Sequence, residues 1–387
     1  MKKLISILGS TGSIGQTTLK IVDKKKNYFR PYFFSANKNL KKISKQIIKY
    51  KPHYFLINNK KVFEKVKKKY RKSNTKIINT ISISNIKKKS DITVAAIPGI
   101  EGLSPTLLMI KKTKKMLIAN KESVICGWTL INKQSVKYKT KLIPVDSEHF
   151  SIFQLIQKTN LDDIEKVYLT ASGGPFLGFK KNELKKIEPK HALKHPKWNM
   201  GKKVTIDSST LMNKILEYIE AQKLFKLPKE KLDILIHPES LVHAVIKFKN
   251  GLTKFIYHDT SMIVPISNAI FEKNLQIKEF IKTKNSFQNL TFKEPDIKNF
   301  PIIKIINKVN EYPSTSIIVN AANEVLVEHF LRKKVPFLGI PVIIQKILGD
   351  RNYRKYAIRN PKDLKQINKI NSWAKIKTLE KIRSTYG

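Results

Sequence analysis

The hydrophobic and polar positions of residues 1 to about 146 alternate between short apolar runs and longer amphipathic stretches. The apolar runs include LISIL, PYFFSA, HYFLIN, ITVAAI and KLIPV, and stretches such as TTLKIVDK and LKKISKQIIKY separate them. Strand-like runs that alternate with helical patterns are typical of βαβ units, whose parallel strands form one sheet with helices on both faces. The pattern therefore predicts an α/β domain with a doubly wound parallel sheet over residues 1–146.

The rest of the chain changes texture twice. Residues 147–271 carry Gly-rich and polar motifs between apolar strands such as VYLTA and DILIH, which predicts a central α+β domain. Residues 272–297 are rich in Lys and Asn without a clear period and are interpreted as a linker. Beyond them, runs such as STSIIVNAANEVLVEHFL have helical spacing and predict a C-terminal helical bundle over residues 298–387.

A glycine motif follows the first predicted strand. Gly9, Gly12 and Gly15 stand immediately before a helix that we expect to open at Gln16. Glycines let the backbone turn tightly and approach a pyrophosphate, and the helix start offers N–H groups to the anion. The strand–turn–helix context favours a Rossmann-like dinucleotide site, although an ordinary Gly-rich turn would have the same composition.

The end of the second predicted strand indicates which dinucleotide is used. NAD enzymes usually place Asp or Glu there to bind the ribose 2′-hydroxyl, whereas this chain has Asn37, Lys38 and Asn39. A cation without a carboxylate favours NADPH. Lysine is so frequent in this sequence that Lys38 is also explained as an ordinary surface residue.

Three carboxylates are candidates for a metal site. Asp146 and Glu148 follow an apolar run and would point to the same face of an extended segment. Asp207 is interpreted as a helix start, after which Asn213, Lys214 and Glu217 share one helical face. Carboxylates without Cys or paired His suit Mg²⁺ or Mn²⁺. The alternative is an ordinary surface Asp-x-Glu and a surface helix.

Two further motifs suit an anionic ligand. Ser172, which precedes two glycines, and Ser208 are small hydroxyl residues that can donate to a phosphate, with Asn213 and Lys214 completing the cradle. Residues 195–201, HPKWNMG, combine a titratable ring, a Trp and a Gly in a way that suits a loop closing over a ligand. Each residue read singly is more often a turn, a cap or part of a core.

The charge of the chain is extreme. Lys and Arg number 76 against 29 Asp and Glu, for a formal net charge of +47. The lysines are spread along the whole chain beside Ile and Asn, which favours a drifted, solvated surface over a dedicated polyanion site. Cys126 has no partner for an intrachain disulfide, and no run of about 18 apolar residues occurs, so we expect a cytoplasmic protein without a membrane helix.

The motifs in their order are similar to one family. GSTGSIG, ANKN, IANKES, PVDSEH, SGGPF, HPKWNMG, DSSTLMNK, IHPESLVH and NAANE over about residues 1–350 resemble the 1-deoxy-D-xylulose 5-phosphate reductoisomerase family. The resemblance implies a homodimer, an NADPH domain, a catalytic domain and a C-terminal helical domain. It also implies conversion of 1-deoxy-D-xylulose 5-phosphate to 2-C-methyl-D-erythritol 4-phosphate, an NADPH- and metal-dependent rearrangement and reduction in non-mevalonate isoprenoid biosynthesis.

The resemblance implies roles for individual residues. The metal ligands are Asp146, Glu148 and Glu217, and with Lys121 and His195 these are the expected catalytic residues. The cofactor residues are Thr11, Gly12, Ser13, Ile14, Asn37, Lys38, Asn39, Asn120, Glu122 and Gly201. The substrate residues are Lys121, Ser147, Glu148, Ser172, His195, Trp198, Met200, Ser208, Asn213, Lys214 and Glu217.

Two positions depart from the family pattern, and two other functions remain open. Asn37 replaces a usual Gly, whose backbone conformation it must adopt, and Ser261 and Ile263 replace an acid and a base. An NADPH oxidoreductase of another polyol phosphate would keep the glycine loop without needing three carboxylates. A nucleic-acid-binding protein would explain the charge, but no helix-turn-helix, zinc-finger or RNP signature is visible, so no nucleic-acid or membrane partner is expected.

Overall fold

The protein chain forms two compact units. The structure is a computed structural model that describes residues 1–80, 86–198, 200–273, 275–282 and 289–387. The first unit contains the described residues of 1–123, 129–150 and 261–282, and the second contains those of 124–128, 151–260 and 289–387.

A parallel sheet forms the centre of the first unit. Its strands are β1 (Lys3–Leu8), β2 (Phe29–Ala36), β3 (Tyr54–Ile57), β4 (Lys76–Ile78), β5 (Ser90–Ala95), β6 (Thr113–Ile118) and β7 (Lys141–Pro144). Their spatial order is β4-β3-β2-β1-β5-β6-β7, and every pair is parallel. Ile5, Ile7 and Phe34 are fully buried. Such burial is expected of strands that are covered on both faces.

Helices connect most of these strands in sequence. They are α1 (Ser13–Lys24), α2 (Leu40–Tyr50), α3 (Lys60–Lys69), α4 (Leu103–Ile110) and α5 (Lys121–Tyr138), and α6 (Ser147–Leu155) follows β7. The helix expected at Gln16 begins three residues earlier, at Ser13, because Gly12 is extended and acts as its N-cap residue. The strand order reverses beside β1, which places the glycine loop at the switch point where α/β sheets bind ligands.

A smaller mixed sheet belongs to the second unit, together with four helices that precede its C-terminal helical part. The strands β8 (Ile164–Ala171), β9 (Leu232–Ile236), β10 (Val242–Phe248) and β11 (Thr253–Tyr257) lie in the order β11-β10-β8-β9. Strands β8 and β9 are parallel, and the other pairs are antiparallel. The helices are α7 (Lys181–Leu184), α8 (Pro189–Ala192), α9 (Lys202–Ser209) and α10 (Met212–Phe225).

The chain returns to the first unit with α11 (Ile263–Phe271), which packs on α1. Lys115 Nζ donates to the carbonyls of Ala269 and Ile270 at 2.8 and 2.7 Å, which caps the end of α11. Glu272 pairs with the same lysine at 2.8 Å. Ser261 and Ile263, the departures from the family pattern, lie just before α11 and at its first residue. The end of this helix is held to β6 by the contacts of Lys115.

The C-terminal part of the second unit is helical. It contains α12 (Thr315–Leu331), α13 (Gly339–Leu348), α14 (Tyr353–Ala357) and α15 (Leu364–Tyr386). Helix α12 is buried on most sides and packs against α13 and α15. The expected fold class is confirmed, with a doubly wound parallel sheet, a second mixed sheet and a helical C-terminus. Part of the proposed linker, residues 274 and 283–288, lies outside the described residues.

Within the described residues, no helix combines the length and the hydrophobicity that a bilayer span requires.

Candidate functional site

The glycine loop of the first unit is shaped by close backbone contacts. Gly9 has φ +82°, and a Cβ on it would lie 2.7 Å from Ala96 O. A Cβ on Gly15 would lie 2.4 Å from Gly9 O, so both positions require glycine. Gly12 offers no side chain to cap α1, which leaves the N–H groups of the first helical turn available to an anion.

The segment after β2 lies at the same edge of the sheet as this loop. Lys38 is exposed, and the Asn39 side chain caps α2 by accepting from Lys42 N at 3.0 Å. Lys42 Nζ donates to Thr11 O at 3.2 Å, a contact that the sequence reasoning missed. Asn37 does not adopt a positive φ, so the expectation that it takes over a left-handed glycine conformation is wrong.

A buried asparagine joins the ends of two central strands. Asn120 is only 2% exposed. It is the N-cap residue of α5, and its Oδ1 accepts a hydrogen bond from Ser123 N at 2.5 Å. Its Nδ2 donates to the carbonyls of Gly99, at 3.0 Å, and Ile97. These bonds give Asn120 a structural role and fix the start of α5, which carries Lys121 and the buried Glu122.

The candidate carboxylates of the first unit lie at the start of a helix. Asp146 and Glu148 were expected to share a face of an extended segment, but β7 ends at Pro144 and Glu148 lies in the first turn of α6. Asp146 immediately precedes this helix and pairs with Lys121 Nζ at 2.8 Å. Ser147 Oγ donates to Glu148 Oε2 at 2.7 Å. The helix start is compatible with acidic side chains because its dipole is positive there.

His195 connects three segments of the second unit. Its Nε2 lies 3.1 Å from Ser172 Oγ and 3.1 Å from Ser208 Oγ, and Ser172 Oγ accepts from Gly174 N at 3.1 Å. The hydroxyls therefore lie on one side of the imidazole, between the loop after β8 and helix α9. The expected grouping of Ser172, His195 and Ser208 is present in this unit.

The opposite nitrogen of His195 determines its tautomer. Lys197 N and Trp198 N both donate to Nδ1, at 3.1 and 2.9 Å, so Nδ1 carries no proton. Nε2 then carries the proton and donates toward the two hydroxyls. Burial lowers the pKa of His195 from 6.5 and favours this neutral form. The ring also holds the backbone of residues 197–198 in place.

Trp198, in the loop from 195 to 201, contacts a pair of stacked histidines that were not among the residues predicted from the sequence. The Trp198 ring contacts His243 edge-on, with centroids 5.9 Å apart, and His243 stacks on His258 at 4.0 Å. Burial lowers the pKa of both histidines. The motif IHPESLVH contains His243, so that residue carried a signal, whereas His258 carried none. Met200 is half-buried, and Asn199 lies outside the described residues.

Two helices that meet at a strained residue carry the remaining candidates. Asp207 was interpreted as a helix start, but Asp207 and Ser208 lie near the end of α9, and α10 begins at Met212. Leu211 between them has φ +62°, which breaks the helix. The Asp207 side chain accepts from Asn323 at 2.7 Å and pairs with Lys203 at 2.8 Å, so its contacts tie α9 to α12.

The predicted face of α10 is present. Asn213 Nδ2 donates to Glu217 Oε1 at 2.5 Å, and Lys214 Nζ forms an ion pair with Glu217. Glu217 is 1% exposed and Lys214 is 4% exposed. A buried carboxylate held by a cation and an amide costs desolvation that its partners must offset, which is typical of functional sites. Gly201, the N-cap residue of α9, is exposed, and its φ of −66° does not require glycine.

Sequence profiles of one family match most of the chain. Residues 5–127 match the profile described as "1-deoxy-D-xylulose 5-phosphate reductoisomerase", residues 142–225 match its "C-terminal domain", and residues 259–377 match the "DXP reductoisomerase C-terminal domain".

Known proteins are similar to the chain over almost its whole length. The 1-deoxy-D-xylulose 5-phosphate reductoisomerase of Pelagibacter ubique (strain HTCC1062) is 43% identical over 97% of this chain and 98% of its own. A Zymomonas mobilis reductoisomerase structure with NADPH is 30% identical, with TM-score 0.88, over 99% and 100% of the two chains. A DOX-P reductoisomerase structure with NADPH, fosmidomycin and magnesium is 30% identical, with TM-score 0.91, over 98% of each chain.

Proposed function

The chain belongs to the 1-deoxy-D-xylulose 5-phosphate reductoisomerase family, and on that basis we propose which of its residues carry out the family's reaction. The enzyme converts 1-deoxy-D-xylulose 5-phosphate to 2-C-methyl-D-erythritol 4-phosphate with NADPH and a divalent metal. When bound, the metal supplies Lewis acidity and NADPH supplies the hydride. The protein side chains then bind, orient and enclose the substrate.

The nucleotide is assigned to the edge of the first unit's sheet. Gly9 and Gly15, where a Cβ would collide with backbone atoms, keep the loop tight and leave room for a pyrophosphate. The start of α1 offers N–H donors around Thr11, Gly12, Ser13 and Ile14. Lys38 supplies a cation for the 2′-phosphate, and Asn37 and Asn39 lie beside it. Asn120 and Glu122 are assigned to the cofactor from the family pattern, as is Gly201.

The metal ligands are assigned to Asp146, Glu148 and Glu217. All three offer carboxylate oxygens, which are the donors that Mg²⁺ prefers. Their partners in the structure suit a role that requires ionised groups: Lys121 for Asp146, Ser147 for Glu148, and Lys214 with Asn213 for Glu217. Mn²⁺ uses the same donor set and is proposed as an alternative metal.

The substrate phosphate is assigned to the hydroxyls around His195. The hydrogen bonds between His195, Ser172 and Ser208 are the main support for this assignment. Neutral His195 donates from Nε2 on the side where Ser172 and Ser208 place their hydroxyls, so the three groups can turn their donors toward one anion. Asn213 and Lys214 complete the phosphate contacts. His195 thus positions the substrate and does not supply an acidic proton near neutral pH.

The loop from 195 to 201 is proposed to cover the bound substrate. Its backbone N–H groups at 197 and 198 are fastened to His195, so binding at His195 is coupled to the position of Trp198 and Met200. Closure would exclude water from the reacting groups. Lys121 and Ser147 are assigned to the reacting end of the substrate.

Four broader assignments accompany these roles. We propose a homodimer in the cytoplasm, with the sugar phosphate as partner and without a nucleic-acid or membrane partner. We also propose that residues 1–146 serve the nucleotide, residues 147–271 the chemistry and residues 298–387 the helical domain, joined by residues 272–297. The absence of a disulfide-forming pair supports the cytoplasmic assignment, because Cys126 is the chain's single cysteine.

The activity is tested by following NADPH oxidation at 340 nm with 1-deoxy-D-xylulose 5-phosphate. We expect oxidation that requires the sugar phosphate, disappears in excess chelator and returns with Mg²⁺. Oxidation that proceeds equally with an unrelated polyol phosphate, or at full rate in chelator, would contradict the proposal.

A further inference from the structure

The charge of the first unit is concentrated in one stretch. Residues 37–76 contain fifteen Lys and Arg and a single acidic residue, Glu64, a far larger excess than the 76 to 29 of the whole chain. All fifteen basic side chains are exposed. Within the described part of the chain, Lys49 pairs with Asp23 at 2.7 Å, and no other of these cations forms an ion pair.

Helices α2 and α3 carry most of these cations on one side of the sheet. Their other sides are apolar and buried, through residues such as Ile43, Ile47, Phe63 and Val66. The basic side chains therefore cover the faces that the helices turn to solvent. We call the exposed Lys and Arg residues between 37 and 76 the basic face.

The basic face begins at the candidate nucleotide site. Helices α2 and α3 start directly after the carboxyl ends of the parallel strands β2 and β3, as α1 does after β1. Their N-termini therefore lie along the same edge of the sheet, and each adds a positive helix end. Asn39 and Asn59 cap the two helices.

Lys42 joins the basic face to the glycine loop. Its Nζ is exposed and lies 3.2 Å from Thr11 O, in the loop that leads into α1. A cation held there reaches the space where the loop would receive a pyrophosphate. The row of cations along α2 and α3 thus ends on the loop itself.

We propose that the basic face collects the anionic dinucleotide by long-range attraction and delivers it to the glycine loop through Lys42. The proposal rests on the assignment of NADPH to this edge. NADPH carries several negative charges on its phosphates, and a field of one sign raises the association rate of such a ligand by about 10-fold to 1,000-fold at low salt. Apart from Lys38, which is assigned to the bound 2′-phosphate, the basic face acts on the association rate constant and leaves the dissociation rate constant unchanged.

The test is stopped-flow fluorescence of NADPH binding to the full chain. The variant is Lys60→Glu with Lys61→Glu and Lys65→Glu, at the start of α3, where carboxylates suit the helix dipole. The matched control is Lys362→Glu with Lys365→Glu and Lys369→Glu, which makes the same change of charge around the start of α15 in the other unit. All six lysines are exposed.

At about 20 mM ionic strength we expect the α3 variant to bind NADPH about tenfold more slowly than the parent, with its dissociation rate constant within about twofold. At about 500 mM the difference should vanish, because the Debye length falls to a few ångströms. The α15 control should stay within about twofold of the parent at both salts.

Equal slowing by both triple variants would assign the effect to net charge and overturn the proposal. An association rate without salt dependence would do the same. A third result would also overturn the proposal. In it, a 30-nucleotide RNA binds the parent at about 150 mM salt, the α3 variant does not bind that RNA, and the α3 variant associates with NADPH as fast as the parent does. A parent chain without equilibrium affinity for NADPH would instead contradict the assigned cofactor.

Discussion

At the scale of single residues, hydrogen-bond partners define the chemistry of His195. Two backbone N–H groups donate to Nδ1, which excludes a proton there, and two serine hydroxyls lie at Nε2. Protonation of the ring would place an N–H against two N–H donors. The same contacts therefore hold the ring neutral and aim its donor at the proposed phosphate site.

His195→Gln tests this role. The flexible glutamine side chain does not hold its amide rigidly at the positions of the two imidazole nitrogens, so we expect the KM for the sugar phosphate to rise by about tenfold or more. The affinity for NADPH should stay within about twofold. Steady-state kinetics and NADPH titration give the two values.

The matched substitution is His191→Gln, since His191 is exposed and caps a short helix. The pH dependence of unfolding adds a second readout. Because the pKa of His195 is lowered from 6.5, the unfolded chain binds the extra proton below that pH, and stability falls as pH falls. His195→Gln should reduce the loss of stability at low pH. A variant with the parent's KM and the parent's pH dependence of stability would show that His195 does not bind the phosphate as proposed.

Lys38→Glu tests the cofactor assignment. The parent should prefer NADPH over NADH by about tenfold or more in kcat/KM, because a cation without a neighbouring carboxylate favours the 2′-phosphate. The carboxylate should remove most of that preference by repelling the phosphate. Equal use of both cofactors by the parent would show that Lys38 does not read the 2′ position.

Spacing predicted the shared helix face of α10, but residue types and spacing did not predict backbone conformation. Asn213, Lys214 and Glu217 lie on one helix face as expected, because their spacing is a helical period. Asn37 was assigned a left-handed conformation that it does not have. His258 gave no signal, since its stacking on His243 depends on the pairing of β10 with β11.

At the scale of elements, the glycine loop is defined by steric exclusion. Gly15 lies within α1, and a Cβ there would contact three backbone atoms between 2.4 and 2.7 Å away. Backbone atoms cannot rotate aside as a flexible side chain can. The close packing of the helix start on the loop therefore depends on this glycine.

Gly15→Ala should lower thermal stability and weaken NADPH binding together, with a cost of about 1–3 kcal/mol, as overpacking usually gives. The control is Gly349→Ala, where φ is −97° and the added Cβ would lie 3.6 Å from Gln345 O, an ordinary contact, so its stability and NADPH binding should match those of the parent. Calorimetry with and without NADPH measures both. A Gly15→Ala variant as stable as the parent would contradict the steric account.

Element types followed from periodicity more closely than element boundaries did. The buried runs of β1 and β5 became neighbouring parallel strands, as near-continuous hydrophobicity predicts. The start of α1 and the helix start at Asp207 were placed wrongly, and the segment with Asp146 and Glu148 was expected to be extended but leads into α6. Each depends on a local conformation that composition does not reveal: extended Gly12, the turn after Pro144, and left-handed Leu211.

At the scale of the whole molecule, the two units contribute different parts of the proposed chemistry. The first unit carries the glycine loop, Asp146 and Glu148, and the second carries Glu217 and the His195 network. None of these proposed roles depends on the formal net charge of +47 of the whole chain. A variant of Glu217, in the second unit, should therefore affect metal use without affecting the affinity for NADPH, because the glycine loop lies in the first unit.

Glu217→Gln, assayed for turnover across Mg²⁺ concentrations and for NADPH binding by titration, tests whether Asp146, Glu148 and Glu217 hold the catalytic metal. We expect turnover to fall by orders of magnitude and the Mg²⁺ requirement to rise, while the affinity for NADPH stays within about twofold of the parent's. Asp207→Asn is the control, since Asp207 is equally buried but is bound to Lys203 and Asn323. It should lower stability and keep the parent's Mg²⁺ dependence. A Glu217→Gln enzyme with parental turnover and parental Mg²⁺ dependence would show that Glu217 is not a ligand of the catalytic metal.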